Sequence, residues 1–260
     1  LAALSGAVTQ AMKVYNPRRV LEMVQAVEYT FGIFYKKMFD NLAAINVLPG
    51  PFSLYKRELF EKIGPFRHAH NTEDMEIAFR IHSRGLRIVN AHTAFVYTTV
   101  PPTLKKLLTQ RTRWSRGFLE NSRDYSYMYG NPKFGNFGML VLPFGLAAFC
   151  AGLYTAGFAL WRISSTLTER ALDLFTTRIP PHIPHIQFSP FFIYTNTLAV
   201  LVVIVLGMTI VAIGIGQKIS HTRLGFKSFI FYFSLFGLIA PMWLAKAVWG
   251  AAISKENTWR

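Results

Sequence analysis

The chain has 260 residues, 28 Lys and Arg against 13 Asp and Glu, a formal net charge of +15, and 52% hydrophobic residues. That length suits one medium domain with added elements, and the apolar share is high for a purely soluble protein. The single cysteine, Cys150, excludes an intrachain disulfide and a cysteine-rich metal site, and within an apolar run it reads as a small packed side chain.

The positive charge suits an anionic ligand, anionic lipid or nucleic acid. It is unevenly placed: residues 1–137 hold 19 of the Lys and Arg and 10 of the acids. The chain opens on Leu1, in what reads as the middle of a domain, with no charged segment ahead of an apolar one. No signal peptide is expected, and the sequence reads as part of a longer protein.

Residues 1–100 read as α/β. Ala7–Tyr15 is a plausible strand. Asn16-Pro17 opens a helix to about Phe39, with Val20, Val24, Val27, Phe31 and Phe34 at helical spacing. Ile45–Tyr55 is strand-like but broken by Pro49-Gly50-Pro51. Lys56–Ile63 is a short helix ended by Gly64-Pro65. Thr72–Arg84 is a helix stopped by Gly85, and Arg87–Val100 a strand ended by Pro101-Pro102.

Glu73, Asp74 and Glu76 follow Asn71-Thr72, both good helix caps. Acids in a first helical turn are favoured by the macrodipole, by about 0.3–1 kcal/mol each. A carboxylate at a helix start beside a pocket can equally serve as a general base, taking the proton of an attacking hydroxyl. The spacing alone leaves both readings open. His68, His70 and His82 lie near this cluster, and solvated or core histidines are the plainer reading than metal ligands.

Pro102-Thr103 begins a further helix with Leu104, Leu107 and Leu108 on its apolar face. Gln110, Arg113, Trp114 and Gly117 fall at i, i+3, i+4 and i+7 and share one stripe. A guanidinium can grip a diphosphate with a planar fork, an indole can stack on a sugar ring, and an amide can bond hydroxyls. Gly117 permits a close approach to the backbone, and Arg111 and Arg116 flank the stripe and raise the positive potential. The same residues also fit an amphipathic helix on an anionic membrane surface. The two readings are compatible.

Three apolar runs follow: 138–161, with Pro143 and four glycines, which suggest a bent or partly interfacial segment; 192–216; and 228–251, with Lys246 near its end. Each is long enough to cross a hydrocarbon core of about 30 Å. Arg162–Pro190 is polar and then Pro-rich and reads as an irregular loop. The link 217–227 and the stretch 105–133 are both basic, and short basic loops tend to be cytoplasmic. Three crossings then put the C-terminus outside. No internal repeat is evident.

Thr72-Glu73-Asp74 followed by Gln110-Arg111-Thr112-Arg113-Trp114 resembles the TED and QxxRW motifs of the processive family 2 glycosyltransferases, the cellulose, chitin, hyaluronan and poly-N-acetylglucosamine synthases. Gly50–Glu58 resembles the segment of those enzymes near the acceptor end of the polymer, and Thr99–Lys105 their lead into the QxxRW helix. The resemblance covers roughly residues 5–135 closely and the rest by architecture. It implies a partial GT-A-type α/β domain over 1–100, amphipathic interface helices over 101–137, and an α-helical transmembrane region over 138–260. Asp74 would be the catalytic base, with Thr72 and Glu73 shaping its environment. Arg113 would hold the donor diphosphate, Trp114 would stack on the acceptor sugar, Gln110 would line the acceptor site, and Gly50 would border the terminal sugar.

The implied activity is extension of a β-linked polysaccharide from a UDP-sugar by inverting transfer, with coupled export. The implied partners are the UDP-sugar, the polysaccharide acceptor and a lipid bilayer, in a multi-pass protein of the plasma or inner membrane with its catalytic part cytoplasmic. The Gly50–Arg57 and Thr99–Arg113 stretches look closest to enzymes making N-acetylglucosamine polymers. The family's donor half, with its uridine-binding Asp and metal-binding DxD, comes earlier in the sequence. No Asp-x-Asp occurs here. The Mg2+ or Mn2+ expected for the full-length enzyme would therefore have its ligands outside this chain, and the stretch alone is expected not to catalyse transfer.

Glu256–Arg260 resembles a cytoplasmic Trp-containing segment that covers the site in some of these synthases. That conflicts with three crossings, so either the first run is interfacial or the likeness is chance. Other readings are a non-processive family 2 enzyme acting on a lipid carrier and a basic membrane-anchored binding module. A nucleic-acid role is disfavoured, because the basic residues cluster beside membrane runs and no recognition motif appears.

Overall fold

The computed structural model describes residues 5–67, 72–178 and 197–253. The two histidines at 68 and 70, Asn71, the Pro-rich stretch beyond Arg178, and the 256–260 segment lie outside the described residues. Three strands form a mixed sheet in the order β2-β1-β3. β1 (Ser5–Val14) pairs in parallel with β3 (Arg87–Thr98), from Ser5 opposite Arg87 to Val14 opposite Thr98, with a register shift after Gln10. β2 (Leu54–Tyr55) pairs antiparallel with β1 through Ala7 opposite Tyr55.

Helix α1 (Val20–Asn41) joins β1 to the 42–53 loop. It starts later than the Asn16-Pro17 signal predicts. Asn16 takes a left-handed φ of 41° and turns the chain. The Glu22 carboxylate then accepts the backbone N–H groups of Arg18 and Arg19, at 2.9 and 3.0 Å, fixing the helix start. The strand-like reading of Ile45–Tyr55 survives only at Leu54 and Tyr55. Pro49 and Pro51 have no N–H to give a ladder, and this loop is held from the side. Leu48 N–H donates to the Asp74 backbone carbonyl at 3.0 Å, and Ser53 Oγ donates to Pro49 O at 2.7 Å.

Helices α2 (Arg57–Ile63) and α3 (Glu73–Ser83) close the sheet on one side. Ala7, Ile45, Leu48, Leu59, Ile63, Ile77, Ile81 and Ile88 make one core. Phe79, Met128, Phe137, Val141 and Leu142 make a second. His82 is a core residue: its ring stacks on Phe137 at 4.1 Å between centroids, and Nε2 lies 2.8 Å from Ile45 O. Burial pushes its pKa down to about 4.

Helix α4 (Leu104–Asp124) carries the stripe. A π-helical turn, Phe137–Val141, then leads into α5 (Leu142–Thr177). The first apolar run is thus shared. Its opening residues fill the second core, and a Cβ on Gly138 would stand 2.4 Å from Met128 O, so only glycine fits that crossing. The run then emerges with Phe144, Tyr154 and Trp161 exposed.

The expected loop at Arg162–Pro190 is helical through Thr177. The polar residues there are interspersed with Leu167, Ala171, Leu172 and Leu174, good helix formers, and no proline occurs before 180. At 36 residues, α5 is about 54 Å long, more than a hydrocarbon core needs. Helices α6 (Thr197–Ser220) and α7 (Phe226–Ile253) complete the chain. By length and composition Phe137–Thr177, Ala199–Ser220 and Phe226–Ile253 can each cross a membrane. Val24 and Val27 of α1 pack on Ile213 of α6 and Tyr232 of α7. Gly216 crosses α1 so closely that a Cβ there would meet Thr30 O at 2.3 Å. The site of a Cβ on Gly250, near the other end of α7, lies 3.5 Å from Arg116 Cδ of α4.

His82 makes stability pH-dependent. Its folded pKa is below its unfolded one, so its contribution is complete above the unfolded value of about 6.5 and is lost as pH falls toward about 4. That window corresponds to about 3 kcal/mol. Thermal unfolding of the detergent-solubilised protein is expected to show falling stability across it, and His82→Leu to flatten the fall while losing the contact with Ile45 O.

Candidate active site

The start of α3 and the middle of α4 come together through one crossing. Thr72, the residue before α3, is 3% exposed. Its hydroxyl does not cap its own helix; it accepts Nδ2–H of Asn121 at 3.1 Å, while the same Nδ2 donates to Gly117 O at 2.8 Å. A Cβ on Gly117 would meet Thr72 Cγ2 and Oγ1 at 2.3 Å. The close approach that Gly117 permits is therefore made by Thr72.

The three acids of the cluster part company. Glu73 is exposed. Glu76 is buried: Oε2 pairs with Arg80 at 2.9 Å and Oε1 accepts Tyr125 O–H at 2.7 Å. Arg80 Nη1 also donates to Ile63 O and Pro65 O, at 2.8 and 2.9 Å, so Glu76 anchors the chain ahead of α3. Asp74 is half-buried between them. Burial pushes its carboxyl up from the ordinary aspartate range, Glu73 adds to that, and the Met75 N–H and the Arg113 charge oppose it. Arg113 is exposed on the same helix as half-buried Gln110 and Trp114, and Gln110 Oε1 is buried without a hydrogen-bond partner.

Gly50 is exposed, with open space where a Cβ would stand. It sits in the loop that Leu48 ties to Asp74. Gln10 of β1 braces the loop's far end, with Nε2 donating to Pro51 O and Oε1 accepting Ser53 Oγ–H at 3.3 Å. Phe52 holds a left-handed φ of 60° and is exposed.

Other groups beside Asp74 carry no sequence signal. Lys36 of α1 donates from Nζ to Thr9 Oγ1 at 2.7 Å and to Gln10 O at 2.8 Å. Burial pushes its pKa down to about 7 against the pull of Asp74. Burial, then the charge of Asp74, raises the Tyr55 phenol to about 12. Arg111 and Arg116 are not the free positive charges their place beside the stripe suggests. Arg111 pairs with Glu28 of α1 through both nitrogens, and Arg116 with Glu120 at 2.6 Å.

Among the described residues no group of three or more His, Cys, Asp or Glu side chains converges as a metal site. A separate hollow of about 480 Å³, lined by Tyr15, Arg18, Arg19, Glu22, Thr99 and Pro102, opens where β1 and β3 end, away from every expected site residue.

Residues 2–251 match the family model described as glycosyl transferase family group 2. The chain belongs to that family. Over 113 residues it is 34% identical to the poly-beta-1,6-N-acetyl-D-glucosamine synthase of Staphylococcus aureus, which covers 43% of this chain and 27% of that protein. It is 32% identical to the protein of the same description from Staphylococcus epidermidis, over the same shares. The match thus spans about a quarter of the length of these curated relatives.

In this glycosyltransferase family member, Gly117→Ala is expected to force α4 away from Thr72 and cost about 1–3 kcal/mol, as overpacking of a closed crossing does. Thr72→Ala in the same chain should ease the clash only in part, since the Cβ at 72 would still stand 2.8 Å away, and should not restore the Asn121 bond. Unfolding temperatures of the two variants, measured side by side in detergent, check this.

Proposed function

We propose that this chain forms the acceptor side and membrane region of a synthase that extends a β-linked, N-acetylglucosamine-containing polysaccharide from a UDP-sugar. The single observation that carries the reading is the crossing of α3 and α4 at Thr72 and Gly117, which sets Asp74 within electrostatic reach of Arg113.

In the proposed step a hydroxyl of the acceptor sugar attacks the anomeric carbon of the donor. Its proton passes to the Asp74 carboxylate as the new C–O bond forms. The bond from the anomeric carbon to the diphosphate breaks, and its electron pair leaves on UDP. Attack opposite the leaving group inverts the centre. Half-burial suits Asp74 to this role: a carboxylate of raised pKa is a stronger base than an exposed one. Arg113 offers a fork to the departing diphosphate. Trp114 supplies a flat face for the acceptor sugar, Gln110 a buried oxygen awaiting a donor, and Gly50 a rim without a side chain. Thr72 and Glu73 set the backbone and charge around Asp74.

A divalent cation bound by residues outside this chain would neutralise the diphosphate. The three apolar helices support a place in a membrane, and the basic 217–227 link, close to α1 and β3, supports a cytoplasmic catalytic side. Export of the growing polymer beside these helices is part of the proposal.

The test uses the full-length protein in membrane vesicles with labelled UDP-N-acetylglucosamine. Asp74→Asn is expected to lower product formation by about 10²–10⁴-fold. Since the base must be ionised and its pKa is raised, the acid limb of the activity profile should lie above the ordinary aspartate value of 3.8. An unchanged rate in Asp74→Asn would reject the reading. A product that stops after one sugar on a lipid would replace polymer synthesis with single transfer to a carrier.

A further inference from the structure

Arg111 sits in the middle of α4 and is 7% exposed. Its Nη1 lies 2.6 Å from Glu28 Oε1 and its Nη2 2.8 Å from Glu28 Oε2, a two-point fork on a carboxylate of α1. The guanidinium carbon lies 4.5 Å from the centre of the Trp114 ring, three residues further along the same helix. One turn before Glu28, Gln25 Nε2 donates to Pro101 O at 2.9 Å, holding the segment that leads into α4. Helix α1 therefore grips α4 at Arg111 and its lead-in at Pro101, and the grip at Arg111 ends on the indole.

We infer that Glu28 and Arg111 are positioning residues that fix the orientation of Trp114, and so set how firmly the enzyme holds the acceptor sugar. The inference rests on the proposed role of Trp114 as the acceptor's stacking surface. Arg111 is turned toward α1: both terminal nitrogens face Glu28, and its Nε is buried without a partner.

A half-buried indole free to turn would lose orientation each time the acceptor left. A flat cation locked by a carboxylate holds one face of the ring still, and small misplacements of a reacting pair are costly in rate. The grip reaches further than the site. The turns of α1 that carry Gln25 and Glu28 also carry Val24 and Val27, which pack on Ile213 and Tyr232, and Thr30 touches Gly216. The stacking surface is thus tied through a single helix to α6 and α7.

The fork and the flat cation separate by substitution. Arg111→Lys keeps the charge and loses both. The paired swap Glu28→Arg with Arg111→Glu keeps an ion pair between α1 and α4 but takes the cation off the indole. Full-length protein in membranes is assayed at varied UDP-N-acetylglucosamine and, separately, varied short β-linked N-acetylglucosamine oligosaccharides, with unfolding temperature recorded for each variant.

Arg111→Lys and Glu28→Gln are expected to raise KM for the oligosaccharide by about tenfold and leave KM for the donor unchanged, as loss of a partly buried cation–π contact and its fork would. The swapped pair is expected to recover unfolding temperature over Glu28→Gln while the oligosaccharide KM stays high. The inference is overturned if the swap restores the oligosaccharide KM along with stability. It is also overturned if Arg111→Lys leaves that KM unchanged, or if both KM values rise together in step with lost stability. Trp114→Ala keeps the two levels apart. If Trp114→Ala itself leaves the oligosaccharide KM unchanged, the acceptor reading fails. If Trp114→Ala raises it and Arg111→Lys does not, only the clamp fails.

Discussion

The absence of a side chain at position 117 lets α4 lie against Thr72, and the arrangement of the site follows from that contact. Gly117 offers the space, and Asn121, one turn on, turns its amide to Thr72 Oγ1 and to Gly117 O. Thr72 is thereby withdrawn from capping α3. That places the first turn of α3, with Asp74, under the stripe of α4. An ordinary cap hydrogen bond is worth about 1 kcal/mol; here the hydroxyl is spent on joining two helices. The backbone of α3 still starts cleanly, because the Thr72 carbonyl accepts Met75 N–H and Glu76 N–H.

Around this crossing, charge is sorted by burial. Of three neighbouring acids, one is exposed, one half-buried, and one buried with both oxygens engaged. Glu76 can be buried because Arg80 and Tyr125 meet it, and Arg80 also satisfies two carbonyls before α3. Removing either member of that pair would leave a buried charge alone, which is far costlier than never having had the pair. Burial raises the Asp74 pKa and Glu73 adds to it, while the backbone N–H groups of Met75 and Asp74 and the charge of Arg113 offset this only in part. The same logic separates the arginines. Arg111 and Arg116 meet carboxylates, while Arg113 stays exposed on the face toward Asp74.

Much of this order is written in the sequence at short range. The 3.6-residue spacing of Gln110, Arg113, Trp114 and Gly117 places them on one helix, Gly85 and Pro101-Pro102 end their elements, and the apolar runs announce the membrane helices. What local pattern does not carry is the identity of partners distant in sequence. Nothing near Arg111 points to Glu28, 83 residues away, and nothing near Gly117 points to Thr72. The same limit explains the helical 162–177 stretch. Mixed polar and apolar residues there resemble a loop by polarity, yet helix propensity and continuity with the preceding turns carry the helix to Thr177. The strand-like 45–53 segment fails in the opposite direction, since its prolines deny it a ladder and the Asp74 backbone carbonyl and the Gln10 side chain hold it as a loop.

Helix α1 then emerges as the element on which both halves lean. Lys36 reaches β1 beside Asp74, Gln25 and Glu28 reach α4 and its lead-in, and Val24, Val27 and Thr30 meet α6 and α7. A helix so used cannot shift without disturbing sheet, stripe and membrane helices together, because its contacts are a close backbone crossing at Gly216, apolar packing at Val24 and Val27, and part-buried hydrogen bonds. In the proposed synthase that coupling would keep a polymer's end aligned beside Asp74: the surface that would hold the sugar and the helices that would flank its exit share one strut.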